Sequence, residues 1–312
     1  MAPSSTSRTL TVVPVPGPGA EDVLVGHDGT AYTGTADGSI FAVSPDGNII
    51  RRIGTTGGRP LGLEWLPEGR ILICDARRGL LSMALADGRV EVLAGEVNGI
   101  PMRFCNNAAV LGDGSIWFSD SSIKWGIDDW KSDLIEDTRT GRLLRLAPGS
   151  RNPEVVIDGL CFANGVAKSA DESFVVVAET GLRRLRRHWV RGERAGQTDT
   201  FVSDLPAHPD NIALGSDGLI WVTYASPTDP ALTFLQTKAK PWLKAAVLRA
   251  PEAFKPKPKR TVRVAAYAAS AALVHDVSCG AGAWHMATGV REQAGRVWLG
   301  SLVEPALAWF DL

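Results

Sequence analysis

An all-β, six-bladed β-propeller of four-stranded antiparallel blades around a central channel is the fold class this sequence predicts. Three observations point to it. An imperfect internal repeat recurs with a period of roughly 40–50 residues, the spacing of four-stranded units. Most copies carry Asp-Gly or a near equivalent between two β-type runs, and Gly accepts the positive φ that a tight hairpin turn needs. Long helical periodicity is mostly absent, which argues against a βαβ barrel.

The copies begin EDVLVGHDGTAYTGTADGSIFAVSPDG at Glu21, PLGLEWLPEGRILICDARRGLLSMALADG at Pro60 and NNAAVLGDGSIWFSDSS at Asn106. They continue NGVAKSADESFVVVAET at Asn164, DNIALGSDGLIWVTYAS at Asp210 and MATGVREQAGRVWLGSL at Met286. Beyond the second strand, SIFAVSP, GLLSMALA and GRLLRLAP read as third strands that turn into a fourth. The leading TLTVVPV reads as an outer strand of the last blade, which closes the ring and removes an exposed sheet edge. Two stretches interrupt the pattern. Residues 123–140, with KWGIDDWKSDLIED, insert into the third blade, and residues 233–260 have helical character before a Pro/Lys run. Long insertions on a rigid scaffold are usually functional, so both are read as lids over the channel mouth of a single domain, 1–312.

Composition narrows the function classes. Hydrophobic residues make up 45% and charged ones 21%, as in ordinary globular chains, and the net charge of -1 excludes a globally basic nucleic-acid binder. The N-terminal MAPSSTSRTLTVVPVPGPG lacks the apolar run of a signal peptide, and no stretch is apolar enough to span a membrane. Cys74, Cys105, Cys161 and Cys279 show no CxxC spacing. The expectation is a cytoplasmic protein with reduced thiols and neither a nucleic-acid nor a membrane partner.

In a propeller the innermost strands start near one mouth of the channel, so residues at one repeat phase converge. At that phase the copies carry Glu21, Asn106, Asn164 and Asp210, each just before a β run, while the second copy offers Leu61-Gly62-Leu63. Asn and Asp at such places also serve as turn formers. Two carboxylates and two carboxamides on one axis, however, suit a hard cation. Ca2+ takes six to eight oxygen ligands, and nothing here offers the sulfur or imidazole cluster that zinc or copper prefers.

The stretches RFCNNAAVLGDGSIWFSDSSIKW, GRLLRL, CFANGVAKSADESFVVVAETGLRRLRRHWV, LPAHPDNIALGSDGLIWV, PWLKAAVL and GRVWLGSL carry a resemblance over nearly the whole chain. The sequence resembles the strictosidine synthase-like and adipocyte plasma membrane-associated protein group. That group lies within the superfamily of gluconolactonase (senescence marker protein), paraoxonase and diisopropylfluorophosphatase. The resemblance implies a six-bladed propeller and, as in hydrolytic members, a channel Ca2+ held by Glu21, Asn106, Asn164 and Asp210. Asn211 matches the paraoxonase pattern as a fifth contact. Two departures stand out. The family's commoner Asn-Asp pair is Asn106-Asn107 here, which bears on any second, structural calcium. Strictosidine synthases also carry a Glu on the last blade that drives amine–aldehyde condensation, and Thr288 occupies that position.

The reading that follows is metal-assisted hydrolysis of a lactone or aryl ester, a small-molecule substrate. Attack comes from a base-activated water or from Asp210 as nucleophile. His285, in AWHMATG, is the preferred base, and His208, two residues before Asp210, is the second candidate. Trp65, Trp125, Trp130 and Trp284 are candidates to line the pocket, whereas Trp117, Trp221 and Trp298 read as packing. The arginines between 183 and 194 read as a solvated face. A non-catalytic ligand-binding or protein-interaction propeller is the alternative, and Thr288 disfavours a strictosidine-type lyase.

Overall fold

The computed structural model describes residues 6–252 and 255–312. The first five residues of the N-terminal segment and residues 253–254 of the second insertion lie outside the described residues. The chain forms a six-bladed β-propeller. The innermost strands of the blades, in order, are Leu24–Val25, Pro60–Leu66, Cys105–Val110, Ala163–Lys168, Ala207–Leu214 and Ala287–Gln293. Each packs against its neighbours around the channel, and the last meets the first.

Hairpin chemistry explains the regularity of the blades. Among the described residues, seven turns tipped by Asp-Gly or Asp-Glu use the same device, an aspartate whose Oδ1 accepts the backbone N–H two residues on. They are Asp28, Asp37, Asp46, Asp87, Asp113, Asp171 and Asp217. In six of them the next residue is a glycine at positive φ, the conformation that the turn demands. Apolar side chains of adjacent blades interlock between these hairpins; Ile40, Leu63, Ile73 and Leu81, for instance, bury together between the first two blades.

The N-terminal segment closes the ring as expected. Thr11–Pro14 pairs antiparallel with Ala306–Asp311 as the outer strand of the sixth blade. The structure adds a second tie. Thr6–Arg8 runs parallel to Leu273–Cys279 as a fifth strand on the fifth blade, so one segment stitches two blades together.

The innermost strands share an irregularity that positions the site. The strands of blades two to six break register at Pro60/Leu63, Cys105/Ala108, Ala163/Val166, Pro209/Ile212 and Ala287/Val290. Each break holds two residues outside the regular ladder, which re-aims their side chains. The pairs are Leu61-Gly62, Asn106-Asn107, Asn164-Gly165, Asp210-Asn211 and Thr288-Gly289, with Glu21-Asp22 just ahead of the first inner strand. Glycine occupies the second place in every other blade because the neighbouring backbone presses there. A Cβ on Gly165 would lie 2.2 Å from the Ile212 nitrogen, and one on Gly289 would lie 2.5 Å from the Asp22 Cα.

The two insertions fold over one mouth. Helix α1 (Trp130–Glu136) comes from the first, and helices α2 (Pro230–Thr237) and α3 (Pro241–Arg249) from the second. Gln236 Nε2 donates to the Leu134 carbonyl and Lys244 Nζ to that of Glu136, which ties the insertions together. The four cysteines are unpaired.

Candidate metal centre and active site

Glu21, Asn106, Asn164 and Asp210 line one cavity beneath these helices, so the residues predicted from the repeat phase are brought together. Glu21, Asn106 and Asn164 are buried and Asp210 is half-buried. Each amide is held with its nitrogen engaged. Asn106 Nδ2 donates to Ser121 Oγ at 2.9 Å and Asn164 Nδ2 to Thr180 Oγ1 at 3.2 Å. Asn211 Nδ2 donates to Glu21 Oε1 at 3.1 Å, which sets Asn211 behind the carboxylate rather than on the cavity surface.

The oxygens are what remain. Of the nine buried side-chain polar atoms without a partner among the described residues, five belong to this cluster: Glu21 Oε2, Asn106 Oδ1, Asn164 Oδ1, Asn211 Oδ1 and His208 Nε2. An unsatisfied buried polar atom costs about 1–3 kcal/mol, so such a concentration fits a cavity shaped to bind something that accepts lone pairs. Electrostatics agree. Burial pushes the Glu21 carboxyl well above its ordinary value, and the neighbouring Asp22 and Asp210 carboxylates push it further. Burial likewise raises Asp210 to about 7 and Asp22 to about 6. A bound divalent cation would relieve this crowding. Among the described residues no group of three or more His, Cys, Asp or Glu could hold a metal. The donor set here has two carboxylates, and carboxamide oxygens supply the rest, as a hard cation accepts.

Three residues beside the predicted set shape it. Asp22 Oδ2 accepts the Leu63 N–H at 2.9 Å and Asn107 Oδ1 the Val166 N–H at 2.8 Å, each clamping its blade to the next. Asn107 is thereby engaged as a blade clamp. Thr180 has three roles. Its hydroxyl accepts from Asn164 and donates to the Pro209 carbonyl at 2.8 Å, and its own carbonyl accepts from His208 Nδ1 at 3.0 Å. The sequence signal for these supports was present: Asp120-Ser121 and Glu179-Thr180 close the second strands of successive blades at equal phase.

The two histidines part company. A carbonyl can only accept, so His208 carries its proton on Nδ1 and leaves Nε2 as a lone pair. His208 lines the cavity, and burial lowers its pKa. His285 is placed elsewhere. Its Nδ1 pairs with Glu304 and its Nε2 meets Arg260, and it is not among the lining residues.

The tryptophan expectations need correcting. Trp130 lines the cavity, but the other three candidates do not. Trp65 packs edge-on against Tyr32, Trp125 donates to Glu136, and buried Trp284 donates to the Ala306 carbonyl. Indole N–H groups recruit such acceptors wherever burial removes water. Trp117, Trp221 and Trp298 are packing residues, as expected. The arginine run is also less solvated than expected. Arg187 forks onto Asp199 and stacks on Trp189, with 4.4 Å from guanidinium to ring centre, and Arg184 pairs with Glu179.

Comparison with known proteins follows the same lines. The family model described as strictosidine synthase matches residues 106–193, and that described as strictosidine synthase-like, N-terminal, matches residues 8–43. The chain is 32% identical to protein STRICTOSIDINE SYNTHASE-LIKE 6 of Arabidopsis thaliana over 66% of this chain and 56% of that one, so it spans little more than half of that relative. It is 31% identical to the adipocyte plasma membrane-associated protein of Danio rerio over 94% of this chain and 77% of that one. Among solved structures, a gluconolactonase from Xanthomonas campestris has a TM-score of 0.70 at 17% identity, covering 97% of this chain and 89% of its own. A calcium-binding regucalcin from Agrobacterium tumefaciens has a TM-score of 0.69 at 13% identity, covering 99% and 95%. Those two likenesses show the fold. The identity and coverage of the Danio rerio relative, with the two family-model matches, show that the chain belongs to the strictosidine synthase-like family that includes the adipocyte plasma membrane-associated proteins.

Proposed function

We propose that the protein is a Ca2+-dependent hydrolase of apolar lactones or aryl esters. The observation that carries this reading is the set of partnerless oxygens on Glu21, Asn106 and Asn164 beside the Asp210 carboxylate. Those four residues would hold the ion, with Asn211 behind Glu21. When bound, Ca2+ supplies Lewis-acid polarisation of an ester carbonyl and stabilises developing negative charge on its oxygen.

The chain's own groups supply the remainder. His208 Nε2 takes the proton from the attacking water, and Thr180 holds the imidazole in the tautomer that allows it. The walls above the polar floor are apolar, with Leu61, Met286, Leu302 and the edge-to-face pair Phe104 and Phe162. Such walls seat an aryl or acyl group and give few partners to a polyhydroxylated ring. Helices α1 and α2 act as a lid that excludes water. Thr288, where a condensing enzyme would need a carboxylate, donates its hydroxyl to the Glu21 carbonyl at 2.7 Å, which disfavours a lyase. The cytoplasmic location expected from the sequence belongs to this proposal, and cell fractionation tests it.

The deciding assay is hydrolysis of a lactone and aryl-ester panel by metal-stripped protein, with and without Ca2+, beside Asp210→Ala. Turnover that Ca2+ restores and the variant lacks supports the reading. Activity that persists in the variant without metal would place the chemistry elsewhere. A folded, Ca2+-binding protein that hydrolyses nothing would instead favour a ligand-binding propeller.

A further inference from the structure

The channel holds a second cavity, of about 250 Å³, at its far end. Three or four residues along each inner strand separate it from the metal cavity, about 10–13 Å: Leu61 from Glu64, Asn164 from Lys168, Thr288 from Arg291. Most of its wall is apolar, with Val110, Ala167 and Leu214 beside Trp65, and the charged side chains of Glu64, Lys168 and Arg291 complete it. The inner strand of blade one, Leu24–Val25, is short, so Glu64 of blade two and Arg291 of blade six meet across it at 3.2 Å. Arg291 also donates to the Leu63 carbonyl, yet its Nε is buried without a partner among the described residues. Lys168 belongs to blade four, which stands opposite blade one in a ring of six. It donates to Glu172 at 2.8 Å, and Arg191 also meets that carboxylate, at 3.2 Å. An ammonium has further N–H donors to give.

We propose that this far cavity binds a small monocarboxylate with an apolar body, at a site separate from the metal centre. A buried guanidinium donor without an acceptor is a standing cost that a ligand oxygen removes, and hydrogen bonds from cations to a carboxylate are the strong kind. The carboxylate bridges Arg291 and Lys168 across the channel. Its aliphatic or aryl remainder lies on Trp65 and the aliphatic wall, the usual division of a small-molecule site. Water serves poorly here, because a buried water needs about two to four polar partners and most of this wall offers none. A dianion such as phosphate is opposed by the carboxylates that already face these cations: Glu64, Glu172 and, toward the metal cavity, Asp22. The proposal does not rest on the hydrolase reading.

The test titrates benzoate into the metal-stripped full chain by calorimetry, with benzamide and inorganic phosphate as comparison ligands. Benzoate should bind saturably at one site and about tenfold tighter than either, since benzamide lacks the charge and phosphate the apolar body. Lys168→Met should weaken benzoate about tenfold while melting like the parent, since Arg191 still meets Glu172. Arg291→Lys keeps the charge facing Glu64 but loses the Nε donor, and it should weaken benzoate by a similar factor. Asp210→Ala, in the other cavity, should bind benzoate like the parent. No saturable binding, benzamide bound as tightly as benzoate, or full binding by both Lys168→Met and Arg291→Lys would each overturn the proposal. Phosphate bound as tightly would overturn it in favour of inorganic anions, and loss of binding in Asp210→Ala in favour of the metal cavity.

Discussion

Thr180 joins the proposed metal ligands to the proposed base. Its hydroxyl turns the Asn164 amide so that Oδ1 is free, and its carbonyl fixes the His208 tautomer. Thr180→Val keeps the shape and removes the hydroxyl, so the amide loses its orienting acceptor. Supporting partners of metal ligands are typically worth 10–100-fold, and kcat/KM should fall by about that factor, with Thr180→Ser restoring most of it. Equal activity of the valine and serine variants would reduce Thr180 to packing. His208 permits a pH test as well. A base must be neutral to act, and burial lowers this imidazole below its ordinary 6.5. The activity plateau should therefore extend below pH 6.5, and His208→Gln should lower kcat by about 10²–10⁴-fold. The sequence placed His285 ahead of His208 because it stands at the start of an inner strand. It could not show that Glu304 and Arg260, from other segments, would meet both ring nitrogens.

At the scale of the hairpin, the turn aspartates tie stability to acid. Hydrogen bonds from the hydroxyls of Thr35, Ser115 and Ser169, and from the N–H groups two residues on, hold Asp37, Asp113 and Asp171 below the ordinary carboxylate value, and the Ser44 hydroxyl with the Asn48 N–H groups holds Asp46 at about 2. A depressed carboxyl stabilises the fold above its unfolded pKa, and that stabilisation is lost as pH falls through the folded value. Melting temperature should therefore drop between about pH 4 and pH 2. Asparagine at positions 46, 113 and 171, which keeps the accepting oxygen without the titration, should flatten that decline; an unchanged slope would assign acid sensitivity to other carboxylates. These same turns are why the fold was legible. Asp-Gly between β runs is a local signal, as is the phase that placed Glu21, Asn106, Asn164 and Asp210 ahead of each run. The register breaks holding those residues were not legible, because a bulge is defined by the partner strand. Nor was the alternation of Gly62, Gly165 and Gly289 with Asp22, Asn107 and Asn211, which answers to backbone pressing from the next blade.

Across the whole molecule, the proposed ligands come from blades one, three, four and five, so an ion that they share would tie distant parts of the ring. Binding to the folded state alone stabilises by about 2.7 kcal/mol at a hundredfold excess over Kd. For a chain of 312 residues that is about 4 °C in Tm. Proton linkage sharpens the expectation. In metal-stripped protein, burial raises Glu21, brings Asp22 to about 6 and brings Asp210 to about 7. A raised carboxyl binds its proton more tightly when folded, so the stability it contributes is present below the unfolded pKa and lost as pH rises through the folded one. The stripped protein should thus weaken from about pH 4 to pH 7, while protons compete with Ca2+ at the lower end. The rise in Tm on adding Ca2+ should be larger at pH 8 than at pH 5, and Glu21→Gln should remove most of it. A shift equal at both pH values, or retained in the variant, would mean that the ion binds somewhere other than the channel.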